Sequence, residues 1–327
     1  MLKYENLLKN LRAYKSIASD VLSGNLSHSY LLISDDNEVK QNLSILILCR
    51  IFCEKKDKFP CLSCPECKKI INNNHSDIHY YSGRINVEDV SKIIEASTLK
   101  PYSTDKNIFV ITDLGQMNAA AQNKMLKTLE EPQKGVTFLM FSHDESMVLA
   151  TVKSRSQVYF VENFSAFEIE KELKLQYSQE SYDSIAIASA ICGGKLDTAV
   201  KYLNDDEFKD LYNLVFEIIN NMQKSPDILE YQIKVESHKK RLKEFLEIFY
   251  IAIRDIMVIK SSSTDIVLCK NRINDIMNAE KSVSLKAGSN ILDLIQRMQQ
   301  RLYYNGNPAS VIDELLFSYL EVKALCR

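Results

Sequence analysis

The chain has 327 residues, of which 46% are hydrophobic and 26% are charged, and its formal net charge is −2. A single hydrophobic core stops growing at roughly 250–300 residues, so this length predicts two or three domains. The charge argues against a protein that binds nucleic acid strongly by itself through a basic face, but it leaves open a contribution to a composite DNA site. The charged first residues and the lack of a long apolar run predict a cytoplasmic protein with no membrane span.

Five short runs rich in β-branched and aromatic residues mark the first half of the chain. They are residues 30–33, 78–81, 108–111, 137–141 and 157–161. Most of them show little polar alternation, which is typical of strands covered on both faces. Helical patterns lie between them at 42–53, 87–98 and 118–131. Strands that alternate with helices predict an α/β fold with a five-stranded parallel sheet.

The second half of the chain has a different character. From about residue 165 one helical pattern follows another, with no strand-like runs between them. The longest predicted helices are 207–222, 235–259, 284–303 and 309–325. This half is therefore predicted to be all helical.

Four cysteines fall within a short stretch. Cys61, Cys64 and Cys67 form two overlapping C-x-x-C pairs, and Cys53 lies upstream with seven residues between it and Cys61. Two thiolates at this spacing reach one tetrahedral ion from a single turn, and four sulfur ligands favour zinc. Four protein ligands leave no open position for water, so the predicted zinc site is structural.

The other four cysteines stand singly among apolar neighbours. They are Cys49, Cys192, Cys269 and Cys326. In a protein predicted to be cytoplasmic, isolated cysteines of this kind are expected to be reduced and mostly buried. His75 and His79 lie outside the cysteine cluster and flank a predicted strand, so we interpret them as hydrogen-bonded structural residues.

The loop after the first strand is where a phosphate-binding loop would lie. Such a loop needs glycines, a lysine for the β- and γ-phosphates, and a hydroxyl for Mg²⁺. Lys40 stands at the lysine position, but Ser34 and Val39 replace the two glycines and Gln41 replaces the hydroxyl. Nearby carboxylates would also repel phosphate. We therefore expect no ATP binding and interpret Lys40 as a solvated lysine at a helix start.

Several motifs together resemble one family. They are His28-Ser29-Tyr30-Leu31-Leu32, the four-cysteine insert, His75-Ser76-Asp77-Ile78-His79, Ile85-Asn86-Val87-Glu88-Asp89-Val90, Val110-Ile111-Thr112-Asp113, Ala121 to Pro132, and Ser154-Arg155-Ser156. In this order they resemble a bacterial clamp-loader AAA+ subunit of DNA polymerase III. The resemblance implies a RecA-like AAA+ domain at 1–164 with a zinc module at about 53–67. A helical lid at 165–206 and a helical collar that oligomerises at 207–327 would follow.

The sequence departs from the ATP-hydrolysing members of that family at three places. The phosphate loop is degenerate, Leu114 follows Asp113 where the family has the glutamate that polarises water, and Leu196 stands where the lid arginine is expected. Within the family this joint loss points to a delta-prime-type subunit without intrinsic ATPase activity, within the DNA polymerase III holoenzyme. A structural Zn²⁺ is the one cofactor expected.

One motif that acts on a neighbouring subunit is retained. The resemblance implies that Arg155, after Ser154, is an arginine finger that reaches the γ-phosphate of ATP bound next door. Arginine suits this role because it is always charged and offers a planar fork of donors. Ser156 replaces the family's usual cysteine.

Three functions therefore compete. The first is a non-hydrolysing scaffold, or stator, that works with gamma/tau and delta subunits, the sliding clamp and primer-template DNA. The second is an ATP-hydrolysing gamma/tau-type subunit of the same assembly. The third is a free-standing zinc-ribbon protein that binds nucleic acid, for which the lysines near the cysteine turn supply some charge but which leaves most of the chain unexplained.

Overall fold

The five predicted strands form one sheet in the computed structural model of the chain, which describes residues 2–55, 60–261 and 266–325. The strands are β1 Ser29–Ile33, β2 Ile78–Tyr81, β3 Asn107–Ile111, β4 Val136–Ser142 and β5 Gln157–Phe160. They are all parallel, in the order β2-β3-β4-β1-β5. Every residue of the three inner strands is buried, whereas the edge strands β2 and β5 are partly exposed. The predicted parallel sheet is confirmed.

The chain separates into two units, Met1–Asn163 and Phe164–Arg327, and the sheet belongs to the first. The helices of this unit are α1 Glu5–Asn10, α2 Arg12–Ser23, α3 Asn37–Phe52, α4 Pro65–Ile71, α5 Val87–Thr98, α6 Ala119–Glu130 and α7 Ala150–Lys153. Alternate strand residues such as Leu31, Phe109 and Met140 share one core cluster with Val90 of α5 and Met125 of α6. The tightly packed sheet thereby fixes where the loops at its carboxyl edge begin.

Helix α3 begins earlier than the sequence pattern predicted. The prediction placed its start at residue 42, but the helix starts at Asn37 with Asp36 as its N-cap. The Asp36 carboxylate accepts a hydrogen bond from the backbone N–H of Val39 at 3.0 Å. The apolar pattern missed this first turn because three of its four residues are polar and a side-chain cap marks its start. Only Ser34, Asp35 and Asp36 are left between β1 and α3.

The second unit is helical throughout its described residues, as predicted. Its helices are α8 Ala166–Gln176, α9 Tyr182–Ile191, α10 Leu196–Leu203, α11 Asp206–Asn221, α12 Ser225–Ser237, α13 Leu242–Lys260, α14 Ile273–Glu280, α15 Leu285–Tyr303 and α16 Pro308–Leu325. Each helix in the described residues is too short or too polar to cross a membrane. The division of this unit into lid and collar near residue 206 stays a prediction.

The single helix predicted over residues 235–259 was wrong. Helix α12 ends at Ser237, and α13 begins at Leu242 after a short turn. The turn residues His238, Lys239 and Lys240 are all polar, so no apolar side chain holds this stretch against a core. Arg241 instead points its guanidinium at Asp205, where the Nη1–Oδ1 distance is 2.8 Å. The ion pairing stabilises a break that the apolar periodicity alone does not reveal.

A buried carboxylate holds one loop at the amino edge of the sheet. Asp77 lies just before β2 and is 1% exposed. It accepts hydrogen bonds from the backbone N–H groups of Tyr102, Ser103 and Thr104 and from the hydroxyls of Ser103 and Thr104. Burial by itself raises the pKa of Asp77, but these hydrogen bonds outweigh it and lower the pKa to about 2. The charged form is therefore the native one.

We expect Asp77→Asn to lower the free energy of unfolding by about 1–3 kcal/mol. The reason is that the NH₂ group of asparagine is itself a donor and would face the N–H and O–H donors of the loop. The pKa of Asp77 is depressed in the folded state. Its stabilisation is therefore complete above the unfolded pKa of about 4 and is lost as the pH falls toward about 2. Thermal unfolding from pH 6 down to pH 2 measures both effects. Equal acid sensitivity of Asp77→Asn and the unmodified chain would contradict this account.

Candidate functional sites

The structure brings the four predicted zinc ligands together. The Sγ atoms of Cys53, Cys61, Cys64 and Cys67 all lie within 4.8 Å of one another. Cys53 directly follows α3, Cys64 is the N-cap of α4, and Cys67 lies in the first turn of α4. Cys64 and Cys67 are buried and Cys61 is partly exposed. The cluster therefore joins the end of one helix to the start of the next.

Backbone amides point at the sulfur atoms of this cluster. The N–H of Cys61 donates to Cys53 Sγ at 3.3 Å, and the N–H of Cys64 donates to Cys61 Sγ at 3.2 Å. Burial raises the pKa of Cys53 to about 12. Burial also acts to raise the pKa of Cys61, but hydrogen bonds from Ser63 and Cys64 outweigh it and lower the pKa to about 6. The amides thus favour a thiolate at the most exposed of the four positions.

The donor set fits a tetrahedral zinc ion. Four thiolates about 2.3 Å from one metal would lie about 3.8 Å apart, which is compatible with the spread of the sulfur atoms here. Four neighbouring thiolates also repel one another, and a dication relieves that repulsion. Leu62 adopts a φ of 53°, which is uncommon for a bulky residue and folds the turn so that Cys61 and Cys64 face the same point. These four cysteines can hold a structural metal.

His75 connects the cysteine turn to the sheet. Its Nε2 atom lies 2.9 Å from Glu66 Oε2 on α4, and its Nδ1 atom accepts a hydrogen bond from the Asp77 N–H at 3.2 Å. The ring packs on Phe52 of α3 with centroids 4.4 Å apart. Burial lowers the pKa of His75, so the neutral ring is favoured. His79 likewise hydrogen-bonds Asn107 at 2.8 Å, and the interpretation of both histidines as structural is confirmed.

The three other cysteines in the described residues are buried and form no disulfide there, as expected. These are Cys49, Cys192 and Cys269, whereas Cys326 lies outside the described residues. Cys49 on α3 is near the metal-ligand candidates, with its Sγ 3.9 Å from the carbonyl oxygen of Cys67. Cys49 therefore packs against the backbone of one of the four candidate ligands.

At the place where a phosphate-binding loop would lie, the Asp36 carboxylate caps the helix. Asp36 is 3% exposed and its carboxylate caps the N-terminus of α3. A helix N-terminus binds phosphate through its free N–H groups and its positive dipole end. Here a protein carboxylate already uses the Val39 N–H, and Val39 and Gln41 lie inside the helix. The segment therefore lacks the wrapped backbone that a triphosphate requires.

The interpretation of Lys40 as a solvated lysine was wrong. Lys40 is only 9% exposed and lines a cavity of about 500 Å³ in the first unit. Gln41, Thr112 and Asp113 also line this cavity. Because α3 starts at Asn37, Lys40 lies in its first turn, and its side chain lines this cavity. Burial of this lysine is a feature that the sequence pattern did not reveal.

Two of the departures from an ATP-hydrolysing site are hydrophobic core positions. Leu114 is fully buried and belongs to the core cluster that contains Phe109 and Met140. Asp113 caps the turn that follows β3, where its carboxylate accepts hydrogen bonds from Gly115 at 3.1 Å and Gln116 at 3.0 Å. Leu196, in the second unit, is also fully buried. Leu114 and Leu196 therefore pack in hydrophobic cores and Asp113 caps a turn, where an ATP-hydrolysing subunit would have polar catalytic groups.

Arg155 lies between α7 and β5 and is partly exposed. Its Nε atom donates to Glu130 Oε1 at 2.8 Å, and its Nη2 atom contacts the same oxygen. Its Nη1 atom donates to the carbonyl oxygen of Thr151 at 2.8 Å and to Ser154 Oγ at 3.1 Å. Ser156 Oγ lies 2.8 Å from Ser29 Oγ on β1. Ser154 thus positions the arginine, while Ser156 fastens the segment to the sheet.

Glu130 is the site residue that sequence reasoning missed. It falls in the run Ala121 to Pro132 that supported the resemblance, but no role was assigned to it. It meets Arg155 across 25 positions of sequence, on a separate helix. No local pattern could have revealed the pair, because the packing of α6 beside α7 brings the two side chains together.

Comparisons with known proteins agree with this fold and these motifs. A family profile described as "DNA polymerase III, delta subunit" matches residues 9–165, nearly the whole first unit. The chain is 22% identical over 321 residues to DNA polymerase III subunit delta' of Bacillus subtilis, covering 95% of this chain and 96% of the relative.

Two further relatives match over a smaller share of their own length. DNA polymerase III subunit delta' of Haemophilus influenzae is 29% identical over 150 residues, covering 45% of this chain and 46% of the relative. DNA polymerase III subunit tau of Bacillus subtilis is 21% identical over 335 residues, covering 94% of this chain and 59% of the relative. With the parallel five-stranded sheet and the helical second unit, these matches confirm the resemblance. The chain is thus a relative of the bacterial DNA polymerase III clamp-loader subunits, and the family match covers residues 9–165.

Proposed function

We propose that the chain is a delta-prime-type subunit of the replicative clamp loader, acting in the cytoplasm. In this role it is a scaffold that does not hydrolyse ATP and that supplies Arg155 to a neighbouring ATPase subunit. Its partners are gamma/tau and delta subunits, the sliding clamp and primer-template DNA. The observation that carries the proposal is the capped N-terminus of α3, where the Asp36 carboxylate takes the place that a phosphate group would need.

The remaining ATPase positions support the same conclusion. Leu114 and Leu196 are fully buried apolar side chains, and neither can polarise water or contact a phosphate. Restoring hydrolysis would therefore require changes in two separate cores and in the loop after β1. Arg155, by contrast, is partly exposed at the carboxyl side of α7 and keeps the chemistry that phosphate recognition needs.

Two further features suit a subunit held in a ring. Leu229 and Ile233 lie one turn apart on α12 and are 65% and 63% exposed, which suits the proposed oligomerising collar. Zinc, when bound by the four cysteines, supplies a structural cross-link between the end of α3 and the start of α4. The cysteines would hold it as thiolates, with the backbone amides of the turn stabilising their charge.

The ATP-hydrolysing alternative has one observation in its favour. Lys40 lines the 500 Å³ cavity at the carboxyl edge of the sheet, close to Asp113. Lys40 alone does not make a nucleotide site, because the wrapped loop, the metal-binding hydroxyl and the water-polarising acid are all missing. We therefore place the scaffold first. A free-standing zinc-ribbon protein leaves the sheet and the helical second unit without a role.

The test uses the purified chain in two measurements. Titration with ATP and Mg²⁺ is expected to show no saturable binding at physiological ATP concentrations, because Asp36 already caps α3 and Ser34 and Val39 stand in place of the loop glycines. A gamma/tau-type chain from the same organism serves as the positive control. Mixing the chain with gamma/tau and delta subunits is expected to give one complex on size exclusion.

The two measurements separate the alternatives. Tight, Mg²⁺-dependent ATP binding would favour the motor subunit. Failure to enter the complex would remove both clamp-loader roles.

A further inference from the structure

The guanidinium of Arg155 is almost fully engaged within its own subunit. An arginine has five N–H donors. The N–H of Nε and one N–H of Nη2 face the same oxygen, Oε1 of Glu130. The two N–H groups of Nη1 donate to Thr151 and Ser154. Among the residues that the structure describes, only one Nη2 hydrogen is left without a partner.

These hydrogen bonds use the N–H groups that an arginine needs to bind phosphate. The strong contact is bidentate, with two parallel N–H donors on two oxygens of the anion. The Nε/Nη2 edge is taken by Glu130, and the Nη1 group is taken by Thr151 and Ser154. Arg155 can therefore hold a phosphate in this way only after it leaves Glu130.

We propose that Glu130 is a positioning residue that restrains Arg155 within the subunit until a neighbour's phosphate replaces it. This inference rests on the proposed role of Arg155 as a finger in trans. Glu130 lies in the last turn of α6, where the negative end of the helix dipole disfavours a carboxylate. Pairing with Arg155 offsets that disadvantage when no phosphate is present.

The pair is suited to exchange because it is exposed. The side chains of Arg155 and Glu130 are 31% and 48% exposed. Ion pairs at such positions shift an equilibrium by no more than about five-fold. A phosphate with more than one negative charge is a stronger partner for arginine than one carboxylate, so it can displace Glu130. The restraint sets how readily Arg155 engages, without preventing engagement.

A matched control lies close by in the sequence, in the ion pair made by the last residue of α7. Lys153 of α7 pairs with Glu145 at 2.8 Å, and Glu145 is 45% exposed, close to the value for Glu130. Glu145→Gln removes the same charge from the same region, but Glu145 does not contact Arg155. Glu130→Gln is isosteric, so it removes the charge of the restraint and keeps the side chain.

The experiment measures ATP turnover against ATP concentration in the reconstituted complex with DNA. The chains compared are unmodified, Glu130→Gln, Glu145→Gln, Arg155→Ala and the double variant Glu130→Gln/Arg155→Ala. We expect Glu130→Gln to raise turnover at the adjoining motor site about two- to five-fold at subsaturating ATP, and to raise the total turnover of the complex by a smaller factor. Glu145→Gln should leave it unchanged. In the Arg155→Ala background Glu130→Gln should have no effect, because Glu130 acts only through the arginine.

A readout independent of activity is the NMR resonance of the Arg155 Nε–H group in the isolated chain. Glu130→Gln should move it and Glu145→Gln should not. If Arg155→Ala lowers turnover but Glu130→Gln leaves it unchanged or lowers it, the restraint is disproved and the finger stands. If Arg155→Ala itself has no effect on turnover, the proposed finger is wrong, and the restraint falls with it.

Discussion

Arg155→Ala is expected to lower DNA-stimulated ATP turnover and clamp loading by the reconstituted complex. A trans-acting arginine contributes about 10³–10⁵ in turnover at the phosphoryl-transfer site that it serves. The measured loss in the whole complex should be partial, because only the motor site adjoining this subunit loses its finger. Steady-state turnover and clamp loading on primed DNA are the measurements.

Arg155→Lys separates charge from geometry. Lysine keeps the positive charge but offers a compact ammonium group in place of a planar fork, so it should not restore full activity. Both variants should keep their fold, zinc content and entry into the complex, since Arg155 is a partly exposed residue whose contacts are all at the surface. Clamp loading at the unmodified rate by both variants would mean that this subunit's contribution is purely architectural.

Cys64→Ser is expected to reduce bound zinc from one ion per chain to none and to destabilise the first unit. Structural zinc sites in small peptides carry apparent binding free energies of about 10–16 kcal/mol at neutral pH. Cys64 is the N-cap of α4 and is 2% exposed, so the substitution replaces a buried thiolate ligand with a hydroxyl, which is not one of the usual zinc ligands. Elemental analysis and thermal unfolding measure the two losses.

Cys192→Ser is the matched control, since Cys192 is a buried cysteine of the second unit outside the cluster. It should keep the zinc. Zinc should also be released as the pH falls, because the ligands bind as thiolates and acid returns their protons. Elemental analysis that finds no zinc in unmodified protein purified without chelator would disprove the metal site.

The sequence by itself determined the elements whose physical cause is local or periodic. Buried parallel strands are apolar on both faces, so the five strands could be recognised as short apolar runs, and all five were confirmed. The C-x-x-C spacing encodes a turn that places two sulfur atoms at one point, and the four sulfur atoms are indeed together. The losses at Leu114 and Leu196 were also evident, because each is a change of residue type at a position defined by a motif.

Only the tertiary structure decided which side chains meet across long stretches of sequence. The early start of α3 depends on the Asp36 cap, and the burial of Lys40 depends on which side of that helix faces the sheet. The Glu130–Arg155 pair joins positions 25 residues apart, and Asp77 reaches a loop of similar separation. Apolar periodicity carries no information on such polar contacts, because they form only after the hydrophobic core has placed the elements that bear them.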